Sequence, residues 1–205
     1  MRKVEITLSD DTALHLVAIA KRFGLTLAAL LSHDDVWDVV SLYLNAPKTW
    51  LPRPQWDALV EGVDCPLCAA VQSDVQVNEF GRTIADLGIS RLRLAANQSV
   101  PGYSYLICTK HVCEPYELSV EERAVFFDDM MRAAQALWQV YNPVKMNYEI
   151  LGNIVPHLHC HLKPRFYGDP APGRPIHPDL NTNHLTPEQY QERVESIRRA
   201  LATAG

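Results

Sequence analysis

The spacing of apolar residues changes character several times along the chain. Residues 2–8 alternate, with Val4, Ile6 and Leu8 set against Lys3, Glu5 and Thr7, which predicts a short strand. Ser9-Asp10-Asp11 then offers a helix cap to an apolar-rich run reaching Phe23, and Gly24 ends it. A second helical stretch follows from Thr26 through Leu30 and on through Val36, Val39, Val40 and Leu44. Residues 45–54, Asn-Ala-Pro-Lys-Thr-Trp-Leu-Pro-Arg-Pro, have three prolines and no period, so they read as a linker. The expected organisation is a strand-helix-helix appendage with its linker over 1–54 and a larger domain over 55–205.

From Asp57 onward strands and helices mix. Arg91–Ala95 and Tyr103–Thr109 predict two strands joined across Asn97-Gln98-Ser99-Val100-Pro101-Gly102. Ser119-Val120-Glu121-Glu122 has a capping-box pattern. It opens a helix whose apolar positions, Val125, Phe126, Met130, Ala133, Leu137 and Val140, keep the helical period until Asn142-Pro143. Met146–Leu151 and His157–Leu162 predict two more strands around Gly152-Asn153. A proline-rich tail follows Pro164, and Thr186-Pro187-Glu188-Gln189 starts a last amphipathic helix to about Ala202.

Composition narrows the class. The chain has 205 residues, 47% of them hydrophobic, enough for one sizeable core plus an appendage and too much apolar matter for a disordered chain. No apolar run approaches the roughly 20 residues of a membrane span, and Met1-Arg2-Lys3-Val4-Glu5 lacks the apolar stretch of a secretory signal. The expectation is a cytoplasmic protein with no membrane partner. A net charge of -5 disfavours bulk binding to nucleic acid. The strand, helix, glycine, helix pattern of the first residues resembles a ribbon-helix-helix DNA-binding unit. Its sparse cationic strand face instead favours a helical appendage or dimerisation arm. Five cysteines, at 65, 68, 108, 113 and 160, are an odd number, and in a reducing compartment the close pair points to metal or redox chemistry.

His157, His159 and His161 occupy alternate positions of Pro156-His-Leu-His-Cys-His-Leu162. On a strand all three imidazoles would project from one side, with Leu158, Cys160 and Leu162 forming an apolar back. Packing alone gives little reason for such a row. Two chemistries use it: a site with imidazole metal ligands, and nucleophilic attack of the central imidazole on an α-phosphate. Flanking histidines would then orient the nucleophile, bind non-bridging oxygens or protonate the leaving group.

The stretch Leu151-Gly-Asn-Ile-Val-Pro-His-Leu-His-Cys-His-Leu-Lys-Pro-Arg165 resembles the signature of the histidine triad family of nucleotide hydrolases and transferases. Upstream, Pro101-Gly102-Tyr103 through Lys110-His111-Val112, then Glu117-Leu118 and Ser119, is similar to the family's turn, strand and helix segment. The resemblance spans about residues 60–170. It implies an α+β fold, a five-stranded antiparallel sheet with packed helices, usually as a homodimer, with the small helical N-terminal segment outside it. It also implies a nucleotide substrate, a dinucleoside polyphosphate or nucleoside phosphoramidate, cleaved through a nucleotidyl-histidine. By position His159 is the nucleophile, His161 the phosphate and leaving-group partner, and His157 the first triad member. Asn153 stands where relatives often carry glutamine, and Ile154 where many carry a serine or threonine that contacts phosphate. Asn97 and Arg165 are further candidate nucleotide or phosphate contacts; apolar residues around Leu92 and Leu94 could wall a base pocket, although such residues are more often core. Magnesium could accompany a polyphosphate substrate, although no carboxylate cluster demands it.

Cys65-Pro66-Leu67-Cys68 lets two thiolates grip one tetrahedral ion, with a redox pair as the rival. Galactose-1-phosphate uridylyltransferase, in the same superfamily, resembles this chain in joining such a knuckle to two histidines around a structural zinc. That resemblance implies His111 and His157 as the remaining ligands. Two other classes stay open: a metal-dependent enzyme with the histidine row as ligands, and a nucleotide sensor whose N-terminal module binds DNA or protein.

Overall fold

The computed structural model describes residues 10–22, 24–31, 49–72, 77–78, 80–169, 173–176 and 183–204. The chain divides into two compact units, Met1–Lys48 and Thr49–Gly205. The first holds α1 (Asp10–Arg22) and α2 (Leu27–Leu31), separated by Gly24 at φ +67°. Leu16, Ala20 and Leu30 form its small core. The strand expected over 2–8 and the helical stretch beyond Leu31 lie outside the described residues.

In the second unit a helix begins inside the expected linker. Helix α3 (Arg53–Val60) takes Pro52 as its N-cap and carries Pro54 in its first turn. Proline breaks a helix interior but costs nothing in the first turn, where its missing N–H has no partner to lose. Helix α4 (Pro66–Gln72) follows, with Pro66 again at its start. The sheet comprises β1 (Val77–Asn78), β2 (Gly81–Asp86), β3 (Ser90–Leu94), β4 (Ser104–Cys108), β5 (Lys145–Glu149) and β6 (His159–Arg165), all antiparallel in the order β1-β2-β3-β4-β6-β5. It has six strands where five were expected, the extra one being the two-residue edge β1.

Strand β6 is displaced from the expected 157–162. Its ladder to β4 starts at His159, opposite Ile107, so His157 stands outside the strand. The backbone bends there: His157 N–H donates to the Val155 carbonyl at 2.8 Å and Leu158 N–H to the Val112 carbonyl at 2.6 Å. At its other end β6 runs through Pro164 to Arg165. Beyond Leu162, which pairs with Ser104 at the start of β4, the ladder continues to β5 alone, so Pro164 sits on a locally one-sided stretch where a lost donor is tolerated.

One sheet face carries Leu92, Leu94, Leu106, Cys108, Cys160 and Leu162 and packs on α5 (Val120–Tyr141) and α6 (Pro187–Leu201) through Phe126, Met130, Leu137, Val194 and Ile197. Leu92 and Leu94 therefore belong to the core and wall no base pocket. Both helices open with complete capping boxes, Ser119 with Glu122 and Thr186 with Gln189. Asn142, at φ +48°, closes α5 in the left-handed conformation. The other face is covered near Ile107 by α4 through Cys65, Leu67, Ala70 and Val71. Gly102, at φ +81°, turns the β3–β4 connection where a Cβ would lie 2.7 Å from the Tyr141 ring.

Asp129 fastens α5 to the β2–β3 turn. Its buried carboxylate accepts from Gly88 N–H and Ile89 N–H, each at 2.9 Å. Asp129→Ala leaves two partly exposed donors without their protein partner and is expected to destabilise the fold by about 1–2 kcal/mol. A urea unfolding midpoint equal to that of the wild type would show that the turn does not depend on this carboxylate.

Candidate functional site

The polar face of β4 and β6 is set by strand pairing. Tyr105 lies opposite His161 and Ile107 opposite His159, so these side chains share one face with the turn residue Tyr103. The expected row of three imidazoles resolves into a pair and a separate ring. His159 and His161 approach through their Nε2 atoms at 3.2 Å. His157, off the strand, turns its ring toward Cys65, Cys68 and His111.

Hydrogen bonds fix the tautomers of the pair. The His157 carbonyl can only accept, so His159 Nδ1–H donates to it at 2.6 Å and His159 Nε2 keeps its lone pair. The proton between the rings then belongs to His161 Nε2. That leaves His161 Nδ1 as acceptor for the Tyr103 hydroxyl, 2.7 Å away. Burial lowers the pKa of His159, and burial together with His159 and Lys163 brings that of His161 down to about 3. Two neutral imidazoles result, one offering a lone pair and its neighbour an N–H beside it. The pair can attack an electrophile and donate a proton or hydrogen bond to the same group.

His157 joins a second cluster. The ligand atoms of Cys65, Cys68, His111 and His157 lie within 4.8 Å of one another, the one such group among the described residues. His157 Nδ1 is 3.4 Å from the sulfurs of both Cys65 and Cys68 and 3.2 Å from His111 Nδ1, which is itself 3.2 Å from Cys68 Sγ. Around a tetrahedral zinc, bond lengths of about 2.3 Å to sulfur and 2.0 Å to nitrogen place two nitrogens, or a nitrogen and a sulfur, about 3.3–3.5 Å apart. The outer nitrogens agree: His157 Nε2–H donates to the Cys108 carbonyl at 2.8 Å and His111 Nε2–H to the Val60 carbonyl at 3.0 Å, leaving each Nδ1 lone pair facing the cluster. Burial, with Cys65 adding to it, pushes the Cys68 thiol up to about 11, and burial brings His157 down to about 4. Two adjacent thiolates need a compensating cation, and the neutral imidazole is the form that ligates one. The donor set fits a tetrahedral ion.

The remaining expected site residues have other surroundings. Arg165 is buried, its guanidinium bonded to Asp169 at 2.8 Å, Asn147 at 3.0 Å and the Arg174 carbonyl at 2.9 Å. The Asn97 side-chain oxygen accepts from Ser99 N–H and Asn183 N–H, each at 3.0 Å, and so shapes its own loop. Asn153 and Ile154 lie exposed on the segment leading to the pair, Ile154 at 60%. Cys108 and Cys160 are buried, and Cys113 is half-buried with its thiol 3.1 Å from the Pro156 carbonyl. His184 Nδ1 lies 3.2 Å from the Ala96 carbonyl, while His33 and His177 lie outside the described residues.

Four residues that the sequence reading passed over shape this face. Tyr103 and Tyr105 flank His161, with ring centroids 6.0 and 5.2 Å from it. Lys163, two positions past His161, is buried with Nζ 2.7 Å from Glu149 and 5.6 Å from the centre of the Tyr103 ring. Gln98, beside the expected Asn97, is the buried member of the turn. Its amide donates to the Ala95 and Tyr103 carbonyls and its oxygen accepts from Gly102 N–H, each at 2.9 Å. The available signal was the two-residue period itself, which puts 103, 105, 161 and 163 on one face once β4 and β6 are paired.

Residues 83–168 match the family model of the HIT domain. Curated proteins give no significant sequence match. Among solved structures, a histidine triad protein from Sinorhizobium meliloti is 25% identical with a TM-score of 0.56, over 62% of this chain and 95% of that one. One from Bradyrhizobium japonicum is 24% identical with a TM-score of 0.56, over 63% and 96%. A zinc-bound histidine triad family protein from Mycobacterium smegmatis is 21% identical with a TM-score of 0.51, over 68% and 94%. Among the described residues no helix is long and apolar enough to cross a membrane.

The depressed pKa of His161 makes a pH prediction. The unfolded chain protonates this ring near pH 6.5 and the folded chain only near 3, so folding loses stability as pH falls through that interval and is indifferent to the ring above it. His161→Gln should therefore make the fall in urea midpoint between pH 6.5 and about 4 shallower than in wild type. An equally steep fall would show that the ring is not held neutral.

Proposed function

From a chain that carries a HIT domain over residues 83–168, we propose a nucleotide hydrolase or nucleotidyltransferase acting at an α-phosphate through His159. Its substrates are dinucleoside polyphosphates, nucleoside phosphoramidates or similar compounds joining a nucleoside monophosphate to a leaving group. The observation that carries this reading is the 2.6 Å bond from His159 Nδ1 to the His157 carbonyl, which fixes the opposite nitrogen as the one with a lone pair, held in the resting site by the N–H of His161. His159 Nε2 forms a bond to phosphorus as the bond to the leaving group breaks, giving a nucleotidyl-histidine, and water or another acceptor then releases the nucleotide. His161 Nε2–H, 3.2 Å from the nucleophile, faces the same phosphoryl group and hydrogen-bonds its oxygens or the leaving atom. Asn153, on the exposed loop before β6, supplies an amide to hydrogen-bond the phosphate or orient a histidine. Ile154 has no hydroxyl to add where family members often place one.

Zinc is the ion proposed for the Cys65, Cys68, His111 and His157 cluster, supported by its donor set, its spacing and the zinc-bound Mycobacterium smegmatis protein of the same fold. With four protein ligands such a site is closed, and when bound the ion supplies a cross-link between the start of α4 and the entry to β6. His157 then acts as scaffold, leaving the chemistry to His159 and His161.

Two experiments test this. Incubation with radiolabelled dinucleoside polyphosphates and nucleoside phosphoramidates, quenched under alkaline conditions, should trap an acid-labile adduct on wild type and none on His159→Ala, whose turnover falls by about 10³-fold or more. An adduct that persists in His159→Ala would overturn the assignment of the nucleophile. Elemental analysis should find one zinc per chain in wild type and in His159→Ala, and markedly less in Cys68→Ser. Equal zinc in Cys68→Ser removes the proposed cluster, and loss of metal in His159→Ala would instead favour a metal-dependent enzyme using the histidine row.

A further inference from the structure

Tyr103 is nearly fully buried at the end of the β3–β4 turn, where Gln98 holds its carbonyl at 2.9 Å and Gly102 fixes the bend before it. Its ring lies 4.9 Å from that of Tyr105 and its plane is within 15° of the His161 plane. Its hydroxyl is 2.7 Å from His161 Nδ1, and the tautomers derived above make the hydroxyl the donor. An uninterrupted chain of hydrogen bonds therefore runs from Tyr103 O–H to His161 Nδ1, from His161 Nε2–H to His159 Nε2, and from His159 Nδ1–H to the His157 carbonyl.

We propose that the Tyr103 hydroxyl is the proton source behind His161, so that this neutral imidazole can protonate a leaving group without becoming an imidazolate. The inference rests on the phosphoryl-transfer reading above. As His159 Nε2 bonds to phosphorus, the leaving atom keeps the electron pair of its broken bond and takes the Nε2 proton of His161. His161 Nδ1 takes the phenol proton in the same event, and the negative charge comes to rest on the Tyr103 oxygen. When water attacks the nucleotidyl-histidine, the P–N electron pair returns to His159. The water proton passes to His161 Nε2, and Nδ1 returns its own to the phenolate.

Two features of the site favour this route. Burial keeps His161 neutral, and a phenol releases a proton far more readily than the N–H of a neutral imidazole. The ammonium of Lys163 lies over the Tyr103 ring, 5.6 Å from its centre, so the residue that takes up the negative charge has a cation against its ring, itself paired to Glu149 at 2.7 Å. Tyr103 acts through His161 and is a positioning residue.

The test is a leaving-group comparison with Tyr103→Phe, which keeps the ring against Tyr105 and removes only the hydroxyl. A p-nitrophenyl ester of a nucleoside 5′-monophosphate expels an anion that needs no proton, whereas the matching alkylamine phosphoramidate must be protonated to leave. In the first turnover, Tyr103→Phe should release p-nitrophenolate within about threefold of the wild-type rate and release amine from the phosphoramidate roughly 10²-fold more slowly. Imidazole 15N spectra read the same contact without substrate: the His161 proton sits on Nε2 in wild type, and Tyr103→Phe populates the other tautomer. Equal losses on both substrates, or a His161 tautomer unmoved by the substitution, overturn the role of Tyr103. A folded wild-type protein inert on both substrates overturns the phosphoryl-transfer reading itself, a different outcome from an active wild type with an unselective variant.

Discussion

His157 serves both halves of the site at once. Its carbonyl accepts from His159 Nδ1 at 2.6 Å and so decides which nitrogen of the neighbouring ring carries a lone pair. Its own ring, held by a hydrogen bond from Nε2 to the Cys108 carbonyl, turns Nδ1 toward two cysteines and His111. Any displacement of this residue moves the backbone oxygen and the ligand nitrogen together. The Cys65–Cys68 segment, the loop at His111 and the entry to β6 thereby set the orientation of the His159 imidazole.

The sheet separates the tasks of its two faces. The apolar face, with Leu106, Cys160 and Leu162, packs on the two capped helices and supplies the burial that holds the strands in register. The opposite face is unusually rich in buried cations. Arg93 is fully buried and bonds Thr83, Asn78 and the Gly81 carbonyl, each at 2.7 Å, while burial and nearby Arg91 bring it down to about 10. Lys163 bonds Glu149, and Arg165 bonds Asp169 and Asn147. Each of these charges is tied to protein oxygens and so stitches strands and loops together. His159 and His161, on the same face and ahead of Lys163 and Arg165 along β6, bond mainly to each other, to Tyr103 and to one backbone carbonyl.

Local signals in the sequence were sufficient wherever an element depends on its own residues. The capping box at Ser119, the helix start at Thr186 and the stop at Asn142 appear where the pattern put them. The linker reading of Arg53-Pro54 departed from the structure because proline is ambiguous: it forbids a helix interior but suits a first turn. The short strand β1 has no periodic signal, since a two-residue edge is formed by its partner β2. Arg165 and Lys163 could be placed on the polar face from their spacing, but their partners come both from the neighbouring strand β5, through Asn147 and Glu149, and from the segment after β6, through Asp169, Arg174 and Ile176.

The alternation of histidine with apolar residues by itself determined that imidazoles would line one face of a strand backed by core, and the Cys-x-x-Cys spacing that two sulfurs would lie side by side. Both follow from geometry within a few consecutive residues. Tertiary structure alone decided that the strand begins at His159, because where a ladder starts depends on its partner β4. The bend before it gives one histidine to the cysteine cluster and leaves two in contact with each other on the strand. It likewise decided that a tyrosine from a neighbouring turn, nearly sixty residues earlier in the chain, sits behind His161, since contacts of that range arise only when strands pair.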